Sequence, residues 1–469
     1  MNLRDARCLI VAGVCLAATA AGAPVAVADD EIPAVGHGFH SGTVPLTTVL
    51  NGDTYELKDA TRGGASGYLD RRNSAGDIVS VPYTDQDNDW GDGTLSNQAS
   101  QAVDAQYAAT KAWDYFANVH GRKGFDGEGR ALNLHGRVAG LPLPNGRPAF
   151  VPARPDLDSP ARIAYASPHQ ERGKDGNYRQ LDGATLDLVG GAFAMGVAHV
   201  EAGLPRWEDT ADHPEREEPA AIGAATANIF GTMIEFYANN RVDRPDHLIG
   251  ERLAVGFPAG TFAPPVSMAN PSSGCWSTQT RTDPGPANHF FYLLAMGDKP
   301  AQGETSPTCN GMPVTGIGND KAAKIWYRAL TEYFAATTNY AAARIATLKA
   351  AADLYGAHGL EYNTVNAAWS AVSVNGANPI GGSQTPRPVN PGDQDAVVGK
   401  AASLQLEATN PGGRPLTHTA VGLPPGLTID PASGLISGTP TKKGDYRVTV
   451  GVTDTLHAQG TTWFMWYVS

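Results

Sequence analysis

The 469-residue sequence predicts an α+β protein of two lobes followed by a small β-sandwich, and three observations carry that reading. From Glu31 to about Thr185 the text is punctuated by Gly and Pro and runs in short Val/Thr/Leu alternations such as Ser41-Gly-Thr-Val-Pro-Leu-Thr-Thr, the pattern of hairpins and strands. From residue 186 to residue 374 much of the text has helical spacing. Beyond residue 392, short alternating stretches separated by turn residues return, as a β-sandwich requires.

Residues 1–28 read as a signal peptide. Arg4 and Arg7 precede an apolar run from Cys8 to Ala21, and Ala26-Val-Ala28 stands before Asp29-Asp30, so cleavage is expected after Ala28. Val14 before Cys15 argues against a lipoprotein cleavage box. Removal of Cys8 and Cys15 leaves Cys275 and Cys309, which in an oxidising exterior most simply form one disulfide. No later run is long enough to span a bilayer. The net charge of −12 argues against nucleic-acid binding. Secretion to the extracellular space is the expectation.

Residues 29–185 form the expected β-rich lobe, interrupted by one helix over Asn97 to Val119, where Ala102, Val103, Tyr107, Ala112, Trp113 and Phe116 keep helical spacing. Residues 186–374 form the helical lobe. It opens on Asp187-Leu-Val-Gly-Gly-Ala-Phe-Ala-Met-Gly-Val-Ala-His-Val-Glu-Ala-Gly-Leu204, apolar around most of its circumference and so expected to be a buried central helix. Gly190, Gly191 and Gly196 each cost a helix interior roughly 1 kcal/mol against Ala, which close packing against other backbone would offset. A charged loop, Pro205 to Pro219, follows and reads as solvated, or as a lid or a partner-facing patch. The next helix is expected over Ala220 to Asn240. Residues 375–392, rich in Gly, Pro and Asn, read as a linker to a sandwich over 393–469.

Several long words resemble the thermolysin family of secreted zinc metallopeptidases. They are Gly42-Thr-Val-Pro-Leu-Thr-Thr, Val103-Asp-Ala-Gln-Tyr-Ala-Ala-Thr-Lys-Ala-Trp-Asp-Tyr-Phe, Ile229-Phe-Gly-Thr-Met-Ile-Glu-Phe-Tyr-Ala-Asn, Asn288-His-Phe-Phe-Tyr and Gly316-Ile-Gly-Asn-Asp-Lys-Ala-Ala-Lys-Ile-Trp-Tyr-Arg. Together they cover roughly residues 36–374. The phrase Gly422-Leu-Pro-Pro-Gly-Leu-Thr-Ile-Asp-Pro-Ala-Ser-Gly-Leu-Ile-Ser-Gly-Thr-Pro resembles the Ig-like (cadherin-like) modules appended to secreted bacterial enzymes. The resemblance implies a thermolysin-like two-lobed scaffold. In the family a prosegment separates signal peptide from enzyme; here family-like text begins soon after Ala28, which accords with a chain that has no activity to restrain.

Registered on Asp187-Leu-Val and Ala202-Gly-Leu, the resemblance places Gly191 and Met195 where the family has its two zinc histidines, and Ala192 where it has the general-base glutamate. Ala224 falls at the third ligand, and Asn228 at the aspartate that orients a zinc histidine. Arg281 takes the place of the transition-state histidine, Val266 that of the substrate-binding arginine, and Pro148-Ala149 that of the Asn-Ala pair that holds the substrate backbone. A catalytic zinc needs three protein ligands; Gly, Met and Ala supply at best one thioether, so zinc is expected to be absent. The family's calcium ligands, in contrast, match Asp187, Glu235, Asp246 and Glu251, with one family glutamate replaced by Leu248. Hard carboxylate oxygens suit calcium, and would repel one another without it.

No other catalytic constellation emerges. His199 reads as a packed or capping residue, His289 as structural, and His37 and His40 lack zinc-site context; Gly-x-Ser-x-Gly, Cys-His and phosphate-loop patterns are missing from the sequence. Arg281 reads as a surface ion pair, or as a carboxylate binder beside the former site. The function expected is a secreted pseudopeptidase, binding peptide or protein in the old cleft and a cell surface or polysaccharide through the Ig-like module. The alternatives are an active zinc metalloendopeptidase using other ligands, and a structural cell-wall or matrix protein.

Overall fold

The computed structural model describes residues 31–75, 77–130, 132–136, 148–153, 160–165, 170–172, 178–180, 184–254, 265–376, 379 and 385–469. The expected signal peptide, with Cys8 and Cys15, lies outside the described residues, as does part of the expected linker. Among the described residues no helix is long and apolar enough to cross a membrane.

Among the described residues the first lobe is built from two larger sheets, a two-stranded one (Gln170–Arg172 with Tyr178–Gln180) and one helix. Glu31–Gly38 and Gly42–Asn51 pair antiparallel over their length, from Glu31 opposite Val49 to Gly38 opposite Gly42, at the centre of a five-stranded sheet. The turn between them is fixed by one buried carboxylate: Asp104 accepts from the backbone N–H groups of Phe39, His40 and Ser41 and from Ser41 Oγ. A second sheet runs in the order Ala149–Val151, Arg162–Tyr165, Asn133–Gly136, Ala65–Arg72, Lys58–Asp59. The first helix, α1 (Gln98–His120), has Asn97 as its N-cap, accepting from Ala99 N, and ends at Gly121 in the left-handed region.

Six further helices make the second lobe: α2 (Leu186–Ala202), α3 (Glu217–Ala238), α4 (Gly285–Ala295), α5 (Asn319–Glu332), α6 (Tyr340–Tyr355) and α7 (Leu360–Ala371). One continuous apolar cluster runs from Ala34 through α1, α2 and α3 to Val374, so the two lobes share a core. The central helix is as buried as its composition requires, with Val189, Ala194, Val197 and Ala198 fully inaccessible. The 205–219 stretch is more structured than a solvated loop: it makes two short 3₁₀ turns, Trp207–Thr210 and Pro214–Arg216, and α3 begins at Glu217. Arg206 and Asp209 cap the first turn through their side chains and backbone. Cys275 and Cys309 are joined as a disulfide.

The C-terminal sandwich has its own core of Leu406, Leu427, Ile436, Val448, Val450, Phe464, Trp466 and Val468. Its larger sheet has the order Gln394–Ala396, Gln459–Val468, Gly444–Asp454, Leu416–Val421, and its smaller one Ala402–Gln405, Leu435–Gly438, Leu427–Ile429. Arg387–Pro388, in the stretch expected as linker, pairs with Ala408–Thr409. The sandwich meets α7 through polar contacts: Asn363 Nδ2 donates to Leu456 O at 2.9 Å, and Thr364 Oγ1 lies 2.9 Å from His457 Nδ1.

Candidate functional site

The crossing of α2 and α3 sets the site. A Cβ built on Gly231 would stand 2.2 Å from Asp187 O, and one on Gly191 would stand 2.9 Å from Ala227 O, so at these two positions only glycine lets the backbones touch. Gly190 and Gly196 are close-packed too, but against side chains, Ile234 and the Phe150 ring respectively. The helix-breaking cost of α2 is thus offset by close packing against backbone and side chains together.

Beside this crossing lies a cavity of about 200 Å³. α2 lines it with Leu188, Gly191, Ala192 and Met195, and α3 with Ala224, Ala227 and Asn228. The edge strand Ala149–Val151 brings Pro148, Ala149 and Phe150, while the 3₁₀ turn puts Arg206, Trp207 and Glu208 at the rim. Trp207 is 54% exposed there. Met195 reaches across towards α3, its Cε 3.4 Å from where a Cβ on Gly223 would be.

The fold therefore gathers Gly191, Ala192, Met195, Ala224, Asn228 and Pro148-Ala149 around one space. It does not bring Arg281 there: its guanidinium lies 3.7 Å from Glu217, both side chains part-exposed, and Arg281 is not among the lining residues. Val266 sits in the short strand Val266–Ser267, paired with Leu248–Ile249 and away from the cavity lining. His199 places Nδ1 3.3 Å from Leu204 O and its ring against Phe150, closing the end of α2. His289 is buried between Gly274 O and Ser306 Oγ, and His37 pairs with Asp89.

A second constellation sits at the other end of α3. Glu235, in its last turn, Asp243 and Glu251 bring carboxylate oxygens within 4.8 Å of one another, the one such group of three or more metal-ligating side chains among the described residues. Asp187 adjoins it, held by Thr185 Oγ1 and Gly250 N, each at 2.6 Å. Asp243 is missing from the sequence-based ligand set, and Asp246 of that set stands outside the triad. The reason is local: Asn240 Oδ1 accepts from Val242 N and Asp243 N, which folds the chain back after α3 and turns Asp243 towards Glu235.

Three carboxylates so placed resist ionising together. Burial, then the Asp187 and Asp243 charges, push Glu235 up to about 11. Burial and Asp187 raise Glu251 to about 9, and Asp243 to about 6 although Arg252 and His40 pull it the other way. Neither carboxylate oxygen of buried Glu235 has a hydrogen-bond partner. An oxygen-only donor set with orphaned buried atoms fits a hard dication such as calcium.

Comparison with known proteins agrees with this architecture. Residues 33–139 match the family model described as "Thermolysin metallopeptidase, catalytic domain", residues 215–374 the one described as "Thermolysin metallopeptidase, alpha-helical domain", and residues 385–469 the one described as "Putative Ig domain". The transglutaminase-activating metalloprotease of Streptomyces mobaraensis is 38% identical over 448 residues, covering 92% of this chain and 54% of that protein. The thermostable neutral protease NprT of Geobacillus stearothermophilus is 33% identical over 334 residues, covering 68% of this chain and 53% of that protein. The chain thus spans about half the length of the curated relatives it matches. Among solved structures, the precursor of protealysin from Serratia proteamaculans aligns with a TM-score of 0.43 and 19% identity, covering 67% of this chain and 88% of that one. The two thermolysin matches, the Ig match and the α2–α3 architecture lead to one conclusion: the chain belongs to the thermolysin family of metallopeptidases and carries a C-terminal Ig-like module.

Proposed function

We propose that the chain is a secreted pseudopeptidase, a thermolysin-type scaffold kept by calcium whose former cleft binds peptide rather than cutting it. The observation that carries this reading is the lining of the 200 Å³ cavity. On the register that the resemblance gives, the zinc-histidine and glutamate places fall at Gly191, Met195 and Ala224, and the general-base place at Ala192. What remains near them is a thioether, the Asn228 amide, the Asp187 carboxylate already held by two donors, and Glu208 at the rim. That set does not fit a zinc ion, which takes three strong His, Cys or carboxylate ligands and one open position. Nor is there room to restore one ligand by simple exchange, since a Cβ at residue 191 meets Ala227 O at 2.9 Å.

The same lining suits binding. Phe150, Leu188, Met195 and Trp207 make an apolar recess with polar groups at its rim, the composition of a site for a hydrophobic side chain of a peptide. Glu235, Asp243 and Glu251 would hold calcium, with Asp187 and Asp246 beside them. The residue 1–28 segment would direct secretion, and the Cys275–Cys309 disulfide accords with an oxidising destination. The Ig-like module would supply contact with a cell surface or polysaccharide.

A second reading, an active zinc endopeptidase, is favoured by the relatives, which are described as proteases. Cleavage of an internally quenched peptide library by the purified, zinc-supplemented chain separates the two. The pseudopeptidase reading expects no turnover above that of a heat-denatured control. Turnover abolished by a zinc chelator and restored by zinc would establish the enzyme instead.

A further inference from the structure

A second cavity, of about 290 Å³, opens between the chain after α3 and the C-terminal end of α4. Three rings stand in series along it: Phe236 lies 5.0 Å from His247, and His247 lies 4.9 Å from Tyr292, edge to face. The Met296 side chain adds a soft, polarizable wall, and Asp246 and Glu304 supply two carboxylates.

Both carboxylates are held by neutral donors. Asp246 accepts from Leu248 N at 2.6 Å, and Glu304 from Ser267 Oγ at 2.9 Å and Asn270 Nδ2 at 3.4 Å. Among the described residues neither makes an ion pair with Lys or Arg.

From this geometry we infer that the cavity is a binding site for an organic cation, the ammonium or guanidinium group of an amine ligand or of a Lys or Arg side chain. The ring quadrupoles attract such cations, and two nearby carboxylates add Coulomb attraction. A bare dication is disfavoured, because two carboxylates among rings and a thioether leave most of its six to eight oxygen positions empty. An anion meets two like charges, and a neutral apolar group would strip water from both carboxylates without replacing it. The volume sits at the small end of ligand pockets, which begin at roughly 300 Å³, and suits a single side chain or a small amine. The inference is independent of the α2–α3 cavity.

Saturation-transfer NMR on the full chain in calcium-containing buffer tests it. The probes are tetramethylammonium, agmatine, a blocked peptide with one arginine, and the same peptide with neutral citrulline. Transfer to the cations is expected to exceed transfer to the citrulline peptide and to fall as salt rises. Glu304→Gln should weaken agmatine binding about fivefold, near 1 kcal/mol on the scale of 1.4 kcal/mol per tenfold, while Glu332→Gln, an exposed acid on α5, leaves it unchanged. Circular dichroism confirms that both variants are folded. Tighter binding of the arginine peptide than of agmatine would assign a protein side chain as the source, and the reverse order a free amine; both support the site. Equal transfer to the citrulline peptide, no transfer to any cation, or agmatine binding by folded Glu304→Gln at full strength would overturn it.

Discussion

With calcium held at the acidic cluster as proposed, stripping it should couple the protein's stability to pH, and the direction of that coupling follows from the geometry. Without a dication, Glu235 at about 11 and Glu251 at about 9 hold protons at pH 7, while Asp243 at about 6 is mostly ionised. Calcium binding at pH 7 must therefore displace about two protons, and its affinity should rise by about two orders of magnitude per pH unit between Asp243 and Glu251. The sign for stability is fixed the same way. Both glutamates are raised above their ordinary 4.5, so as pH rises past that value the unfolded chain sheds protons that the metal-free fold retains. Metal-free stability then falls as pH rises above that value until Glu251 ionises. With calcium bound the carboxylates are ionised in both states and this slope disappears. Calorimetric calcium titrations in two buffers of different ionisation enthalpy count the protons directly. Thermal unfolding with chelator and with calcium, at pH 5, 7 and 8.5, reads the slope. Release of less than about one proton, with the two unfolding profiles parallel across that range, would refute the reasoning.

Four further outcomes follow from local structure. Gly231→Ala places a Cβ 2.2 Å from Asp187 O and should cost at least about 1–3 kcal/mol in urea unfolding, whereas Ala225→Gly, buried on the same helix, should cost about 1 kcal/mol. Gly191→His should be less stable than Met195→His by about 1–3 kcal/mol, because only the first forces a new Cβ against Ala227 O; equal stabilities would show that the helices separate freely. Asp104→Ala removes the acceptor of three backbone N–H groups and one hydroxyl and should destabilise by about 3 kcal/mol or more, with hydrogen exchange at Phe39, His40 and Ser41 rising first. Reduction of Cys275–Cys309, a pair 34 residues apart, should cost about 3–4 kcal/mol by the loop-closure argument, measured as the shift in denaturant midpoint.

The helices carried most of what the sequence could say about the site. On α2 and α3 the period is fixed, so a register set at Asp187 on α2 and another set at the Ile229-to-Asn239 word on α3 each transfer residue by residue, and Gly191, Ala192, Met195, Ala224 and Asn228 line one cavity. The chain between Asn239 and Leu248 has no period. Which of Asp243 and Asp246 turns towards Glu235 depends on a side-chain hydrogen bond from Asn240, and composition alone does not encode that choice. The same limit hid the cation cavity, whose rings come from α3, the following loop and α4, residues far apart in sequence. The charged 205–219 stretch looked solvated because its charges dominate its text. Its Arg206–Asp209 pairing, which folds Trp207 over the cavity, was nonetheless visible as opposite charges three residues apart. The β-sandwich strands were legible from alternation, whereas the Arg387–Pro388 strand was masked by its prolines.

The measurement that bears most directly on the central claim is elemental analysis of the purified, exhaustively dialysed full chain for zinc and calcium. About one calcium or more per chain and zinc near background are expected, because the cluster at Glu235, Asp243 and Glu251 offers oxygen ligands while the cavity at Gly191, Met195 and Ala224 offers no zinc set. Zinc near one per chain, removed by mild chelation, would contradict that claim and point to a metallopeptidase centre built from other residues.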